Sequence, residues 1–201
     1  MEIRRYVDAS EWFEVYDVAE AIYRRLFTVG ISTPEGAPGG PHFEAELNKY
    51  FRRRGIGWQL NGGNIEARGP EAFEQVLRNA HDELTQAGRP TASNEIHEAI
   101  KDLSRRPQPD VTGAIQHAMA SLECVARDVT GDPQATLGDI LKRYPRTLPQ
   151  PLDAALVKLW GFASEQGRHL REGRVPGYEE AEVVVQVAAA VAQYLSKKFV
   201  P

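Results

Sequence analysis

The sequence predicts a mainly α-helical protein, with a C-terminal helical bundle and a small N-terminal appendage of helix and β-hairpin. Two observations lead to this fold class. Apolar side chains recur at helical spacing through most of the chain, which is the pattern of amphipathic helices packed on a core. Residues 56–67 are the exception, because two short segments there flank Asn61-Gly62, the strongest local signal for a hairpin.

The N-terminal part contains two predicted helices. Asp8-Ala9-Ser10-Glu11 has the pattern of a capping box and is expected to begin the first helix, which ends at Gly30. After a loop rich in proline and glycine, the second helix is expected from about Pro41 to Arg54, with Gly55 as its stop. The hairpin comes next, and because an isolated hairpin is marginally stable, it must pack on these helices.

Every segment after about Glu71 is predicted to be helical. Two helices are expected to end near Gly88 and before Pro107, and four more are expected to begin near Asp110, Thr136, Pro149 and Tyr178. The sequence Trp160-Gly161-Phe162 is expected to break the helix that begins near Pro149 and to place Arg168-His169 at the mouth of a helix–loop–helix.

The final helix is expected to be the centre of the core, because residues 181–195 are apolar almost all round. The side chains expected to be buried there are Val184, Val187, Val191 and Leu195, packed on Leu122, Val125 and Leu156. The predicted boundary between domains is the proline-rich link Arg105–Asp110. It divides the chain into an N-terminal region, residues 1–106, and a C-terminal bundle of about four helices, residues 107–201.

Composition excludes several classes of protein. The formal net charge of −4 provides no overall basic field for nucleic acid, so any RNA contact needs a local basic patch. The single cysteine, Cys124, excludes an intramolecular disulfide and a cysteine-based zinc cluster. No signal peptide is recognised, and the apolar run of about 15 residues at 181–195 is shorter than the roughly 20 that span a bilayer. These features predict a cytoplasmic protein that is not inserted in a membrane.

No motif for a metal or a cofactor is found, and none is expected to bind. Glu95-Ile96-His97-Glu98 lacks the second histidine of a zinc site and is interpreted as a solvated helix face. Arg52–Arg54 and Arg105-Arg106 are interpreted as helix ends, the latter exposed to solvent. His117 is expected to be a hydrogen-bonded core or boundary residue, and Cys124 a buried structural thiol.

The candidate functional site is the segment from Arg168 to Arg174. Three arginines and a histidine fall within seven residues there, next to Gly167 and Gly173. Arg168 and His169 are the candidate catalytic residues, because arginine binds phosphate through two donors and histidine transfers protons near neutral pH. Arg171 and Arg174 are candidate phosphate-binding residues. The alternative is a polar loop that caps a helix end, and the sequence alone leaves both interpretations open.

An extended pattern, rather than one short motif, carries a resemblance to a known family. Its residues are Phe51 to Trp58, Ala114 to Arg127, Thr136 to Leu141, Leu159 to Ser164, Arg168-His169, and the helix from Glu180 to Leu195. In this pattern the sequence resembles the abortive-infection (AbiJ-like) phage-resistance proteins, whose C-terminal domain looks related to HEPN domains (higher eukaryotes and prokaryotes nucleotide-binding).

The resemblance implies a helical, dimeric RNA-binding protein or metal-independent endoribonuclease that acts in phage defence. HEPN domains usually carry an arginine and a histidine several residues apart, whereas Arg168 and His169 are adjacent. Adjacent helical residues point about 100° apart, so a dimer cleft with one residue from each subunit would bring the pair together. The rival hypothesis is a non-catalytic interaction or sensor module of a defence or toxin–antitoxin system, with a protein partner.

Overall fold

The computed structural model describes residues 2–69, 71–168 and 176–199. Helices account for 71% of the chain, and the described residues contain nine of them together with a single two-stranded hairpin. The predicted fold class, mainly α with a small hairpin, is therefore confirmed. None of the helices in these ranges combines the length and apolar character needed to cross a bilayer.

The secondary-structure elements succeed one another along the chain with short connections. The helices are α1 (Glu2–Ala9), α2 (Trp12–Val29), α3 (Gly39–Arg54), α4 (Glu71–Gln86), α5 (Pro90–Leu103), α6 (Val111–Thr130), α7 (Leu137–Arg143), α8 (Leu152–Arg168) and α9 (Tyr178–Lys198). The strands are β1 (Trp58–Asn61) and β2 (Asn64–Ala67).

The start of the first predicted helix was wrong, because α1 ends at Ala9 and only Ser10 and Glu11 separate it from α2. The Ser10 hydroxyl donates to the Tyr6 carbonyl at 2.8 Å and closes α1 instead of capping α2. Glu11 is the N-cap of α2, and its backbone N–H donates to the Glu14 carboxylate at 2.9 Å within a reciprocal capping box. The box therefore runs from Glu11 to Glu14, three residues later than the Asp8–Glu11 pattern indicated.

The hairpin forms where it was predicted. β1 and β2 pair antiparallel, with Leu60 opposite Ile65, and Gly62 and Gly63 both have positive φ, as a tight two-residue turn requires. Asn48 of α3 closes the free edge of β1, because its side-chain amide both donates to and accepts from the Leu60 backbone at 2.7 Å. This satisfies backbone groups that would otherwise be exposed at a strand edge.

The chain forms two compact units. Unit 1 contains residues 1–70 and 106–108, and unit 2 contains residues 71–105 and 109–201. The core of unit 1 is small and consists of Phe51, Leu60 and Ile65, with aromatic side chains of α2 packed against them. The domain boundary predicted at residue 106 divides the chain differently, because it assigns α4 and α5 to the N-terminal region, and it stays a prediction.

Unit 2 is built around α6 and α9. α6 packs along α5 and α9, and more locally on α7 and α8. Val184, Val191 and Leu195 are buried in this core, as predicted. Val187 was wrongly predicted to be buried, since 38% of it is exposed. The cause is that only one face of α9 is covered by its neighbours in the described part of the chain, although the helix is apolar on both faces.

The predicted break at Trp160-Gly161-Phe162 was also wrong. α8 continues through Gly161 to Arg168 without interruption. A glycine inside a helix costs only about 1 kcal/mol relative to alanine, which the packing of a long amphipathic helix readily offsets. The loop in which the Arg168-His169 pair was expected therefore cannot begin at Gly161.

Candidate functional site

The structure describes one residue of the predicted catalytic pair, Arg168, and not the other, His169. Arg168 is the last residue of α8, and its side chain is not among the described ones. His169, Arg171 and Arg174 also lie outside the described residues. The structure thus places the start of the predicted site at the C-terminal end of α8, and the convergence of the four side chains stays a prediction.

A groove lies beside this point, between α6 and α8. It has a volume of about 290 Å³, close to the lower end of the roughly 300–1,000 Å³ range of small-ligand sites. Its lining residues are Ile115, Gln116, Met119, Ala120 and Glu123 from α6, and Trp160, Ala163 and Ser164 from α8. Ser164 and Arg168 lie one turn apart on the same face of α8, so the groove ends beside the predicted site.

The Trp160 ring fits in this groove because the residue of α7 that it packs against, Gly138, has no side chain. A Cβ atom on Gly138 would lie 2.9 Å from Cη2 of the Trp160 ring, closer than packed atoms tolerate. Gly138 is buried, and it lies two residues after the N-cap Thr136, whose hydroxyl accepts a hydrogen bond from the Asp139 backbone N–H. The short α7 helix therefore sets the position of the aromatic ring in the groove.

Among the lining side chains that the structure describes, one is charged, that of Glu123. Both oxygens of its carboxylate have polar partners. Its Oε1 pairs with the Arg127 guanidinium at 2.6 Å. Its Oε2 accepts from the Leu137 backbone N–H, at the start of α7, at 2.7 Å. Most other lining side chains are apolar, so the groove suits a flat or apolar group better than a phosphate.

Asp139 is the N3 residue of α7. Its carboxylate accepts from the Thr136 hydroxyl at 2.8 Å and from the Thr136 backbone N–H at 3.3 Å. These hydrogen bonds hold the pKa of the Asp139 carboxyl below its usual value, with the Thr136 hydroxyl as the main cause. The side chain therefore completes the capping box of α7.

Cys124 lies on α6 next to Glu123 and is partly buried. Burial raises the pKa of its thiol, and the nearby carboxylates of Glu95, Asp128 and Glu123 raise it further, against the opposing charge of Arg127. A thiol of this kind is a poor nucleophile at neutral pH. This agrees with its interpretation as a structural residue.

His117 forms a hydrogen-bonded connection between α6 and α5, as the sequence predicted. Its Nδ1 lies 2.7 Å from the Glu95 carboxylate, and its Nε2 lies 3.6 Å from the Asp102 carboxylate. Asp102 is buried and also pairs with Arg105 at 2.8 Å. Its pKa is raised, chiefly because burial disfavours the charged carboxylate. Within the described ranges, no three side chains of His, Cys, Asp or Glu converge as metal ligands.

Arg106 was wrongly interpreted as part of a solvated helix end. Its guanidinium donates to the Ile65 carbonyl and to the carboxylates of Asp17 and Glu20, each at 2.9 Å, and it lies 5.9 Å from the centroid of the Trp58 ring. No local pattern indicated this role, because all of these partners are distant along the chain. Arg52–Arg54, by contrast, occupy the last turn of α3 as predicted.

The groove residues were missed for a similar reason. Trp160 and Ser164 are separated by one helical turn, and so are Glu123 and Arg127, which is the spacing at which side chains on a helix meet. That spacing shows that two residues lie on the same side of their own helix. It does not show which other helix packs against that side. The pairing of α6 with α8 is a tertiary contact and is visible only in the fold.

The N-terminal part of the chain matches a known family. Residues 1–83 match the model of the family described as AbiJ N-terminal domain 4. This match covers α1, α2, α3, the hairpin and most of α4. This part of the chain is therefore similar to AbiJ N-terminal domain 4. No curated protein and no solved structure matches the sequence.

Proposed function

We propose that this protein acts in abortive-infection defence against phage. The observation that carries the proposal is the match of residues 1–83 to AbiJ N-terminal domain 4, since an AbiJ-like domain suggests that role. Abortive infection requires a part of the protein that harms or arrests the infected cell. We assign that task to the helical unit 2, which carries the basic segment at 168–174.

The finer proposal is that unit 2 is HEPN-like and binds or cleaves RNA without a metal ion. Arg168 would stabilise the charge on a phosphate, with Arg171 and Arg174 holding the flanking phosphates. His169 would accept the proton of a ribose 2′-hydroxyl, whose oxygen attacks the adjacent phosphorus. The bond from that phosphorus to the 5′-oxygen of the next nucleotide breaks, the 5′-oxygen takes a proton from water, and His169 then returns its proton to the solvent. The expected products carry a 2′,3′-cyclic phosphate and a 5′-hydroxyl. The protein would act in the cytoplasm as a homodimer, with the reacting pair at a cleft between subunits.

The α6–α8 groove supports RNA as the ligand. Single-stranded nucleic acid is typically bound by a basic segment that holds the phosphates, next to an aromatic side chain that contacts a base. Trp160 lines the groove two turns along α8 from Arg168, and Gln116 and Ser164 add polar groups to the same lining. A base in the groove would leave its phosphate beside the start of the arginine segment.

The experiment that tests the defence role is phage plating. Cells that express the protein should reduce plaque formation by a susceptible phage, and infected cells should stop growing before they release progeny. Cells expressing His169→Ala should lose this protection, whereas His42→Ala, an exposed histidine of α3, should retain it. Equal plating on all strains across a broad phage panel would reject the defence role.

A specific observation favours the second candidate function, a non-catalytic interaction module. Apart from Glu123, which is already paired, the groove is mainly apolar, and the net charge of the chain is −4. Filling the groove by Ala120→Phe separates the two functions. Weaker binding of a short single-stranded RNA supports the RNA proposal, whereas unchanged RNA affinity with loss of defence supports a protein partner in the groove.

A further inference from the structure

The outward face of α9 carries an apolar stripe. The stripe consists of Val183, Val187, Ala190 and Tyr194, and all four are exposed, with 54% of Val183 and 38% of Tyr194 accessible to solvent. The opposite face of the same helix is buried against α4, α5 and α6. Nothing in the described part of the chain packs over the stripe closely enough to bury it. Within the described part of the chain, an apolar face is therefore exposed along much of α9.

The spacing of the stripe is that of a helix–helix interface. The four residues succeed one another at intervals of four, three and four, which is the alternation found where two helices pack along each other. The same alternation reaches one charged residue at each end, Glu180 before the stripe and Lys197 after it. On a helix these six positions fall within an arc of about 100° and face one way.

We propose that this face is an antiparallel, two-fold symmetric interface with α9 of a second copy of the chain. A two-fold axis between Val187 and Ala190 pairs Val187 with the partner's Ala190 and Val183 with the partner's Tyr194. That register places Glu180 opposite the partner's Lys197 and Glu179 opposite the partner's Lys198. The apolar and the charged residues are complementary in one and the same register.

The charges exclude the other simple arrangement. A parallel pair of α9 helices would place Glu180 against Glu180 and Lys197 against Lys197, and like charges on facing helices are unfavourable. Among the described residues, Lys197 makes a long contact, 3.9 Å from Nζ to the Glu83 carboxylate, with 59% of its side chain exposed. Lys197 therefore loses little interaction within its own chain when it pairs with a glutamate of the second copy.

The size of the stripe sets the strength to expect. From Val183 to Tyr194 the helix rises by about 17 Å, and a contact of that length belongs to the small class of interfaces, below about 1,200 Å². We expect reversible association in the micromolar range. The antiparallel register keeps the N-terminal ends of the two α9 helices about 30 Å apart, so this interface does not bring together one residue of the Arg168-His169 pair from each subunit. It rests only on the homodimer of the proposal above and can be tested without any RNA activity.

The first experiment is sedimentation velocity over protein concentrations from about 1 to about 500 µM, the range in which a weak dimer dissociates. The wild type should shift from monomer to dimer. Val187→Arg should remain monomeric, because it places an arginine in each half of the interface. Val157→Arg, on α8 and equally exposed at 39%, is the matched control and should dimerise like the wild type. All three should melt at nearly the same temperature.

The second experiment tests the register through its charges. Glu180→Lys alone and Lys197→Glu alone should each weaken dimerisation about tenfold or more, because two attractive pairs become repulsive in every symmetric dimer. The double variant should recover wild-type affinity. An equimolar mixture of the two single variants should form a heterodimer, since every facing pair in it is again opposite in charge.

The third experiment tests the direction of the helices by disulfide formation in a Cys124→Ser background. Val183→Cys mixed with Tyr194→Cys should cross-link under mild oxidation, whereas either variant alone should not. A wild type that stays monomeric throughout, a Val187→Arg variant that dimerises normally, or a Val183→Cys variant that cross-links with itself would each overturn the proposal. Loss of RNA cleavage with normal dimerisation would instead count only against the RNA function.

Discussion

The guanidinium of Arg106 lies 2.9 Å from the carboxylate of Glu20, although the two residues are 86 positions apart in sequence. Both side chains are largely buried, with 12% of Arg106 and 13% of Glu20 exposed. The same Glu20 oxygen accepts from the Ile65 backbone N–H at 2.7 Å. One carboxylate therefore connects α2, the hairpin and residues 106–108 within unit 1.

The first prediction concerns this arginine. Arg106→Ala should destabilise unit 1 by about 3 kcal/mol, because breaking a buried ion pair leaves the other charge uncompensated. Urea unfolding followed by tryptophan fluorescence reports on it, since Trp12 and Trp58 both lie in unit 1. Arg24→Ala is the control: Arg24 pairs with the same Glu20 at 2.9 Å but is mostly exposed, so the loss should be at most about 0.5 kcal/mol. Equal losses from both variants would contradict the buried role of Arg106.

The second prediction compares two glycines of unit 2. Gly138→Ala should destabilise the protein by about 1–3 kcal/mol, because its Cβ would clash with the Trp160 ring in a packed environment. Gly161→Ala should instead stabilise it by about 0.5–1 kcal/mol, since that glycine is inside α8 and no described atom lies within 4 Å of the added Cβ. Melting temperatures that move in the same direction for both would show that α8 or α7 is wrongly placed.

The third prediction is a pH dependence that originates at Asp102. Its pKa in the folded state is raised by burial above the ordinary value of about 3.9. Between these two pKa values the folded protein holds a proton that the unfolded chain has released, so wild-type stability should fall as pH rises through the window. In the Asp102→Asn variant the side-chain amide does not titrate, so the stability of the variant lacks this dependence on pH.

The measurement is the free energy of unfolding of both proteins at a series of pH values from about 3.5 to 7, where carboxyl groups titrate. The free energy of unfolding of the variant, relative to that of the wild type, should increase as the pH rises above about 3.9 and should then become constant. Carboxyl groups that do not interact with Asp102, such as that of Asp139 with its lowered pKa, contribute equally to both proteins and cancel in the difference. A difference that shrinks with rising pH would contradict the burial of an ionisable Asp102.

The fourth prediction concerns Cys124. Because burial raises the pKa of its thiol, alkylation by iodoacetamide at pH 8 should be at least about tenfold slower in the folded protein than in urea. Mass spectrometry of the intact protein counts the modified fraction over time. Fast labelling of the folded chain would show that Cys124 is an accessible, reactive thiol.

Features with a local cause were predictable from the sequence. The hairpin is explained by Asn61-Gly62-Gly63, and the start of α6 by Asp110, whose carboxylate accepts from the Gly113 backbone N–H at 2.8 Å. These signals involve residues next to one another, so no knowledge of the tertiary fold is needed.

Features that depend on a distant partner were not predictable. Arg106 has the sequence of a solvated helix end, and only the position of Glu20 shows otherwise. The apolar pattern of α9 could not distinguish its buried face from the stripe at Val187, because both faces are apolar. For the candidate site, the role of Arg168 stays a prediction from its chemistry, whereas the neighbouring groove required the packing of α6 on α8.

The most direct test of the proposed function is cleavage of total cellular RNA by the purified protein in the presence of a metal chelator. We expect the wild type to produce fragments that end in a 2′,3′-cyclic phosphate. His169→Ala should cut about a hundredfold or more slowly, and Arg168→Lys should also fail, because an ammonium group cannot replace the two-donor contact of a guanidinium. His42→Ala should cut normally, and all variants should melt close to the wild type. If the wild type cuts no RNA, or if both variants unfold, the pair is structural and unit 2 is an interaction module.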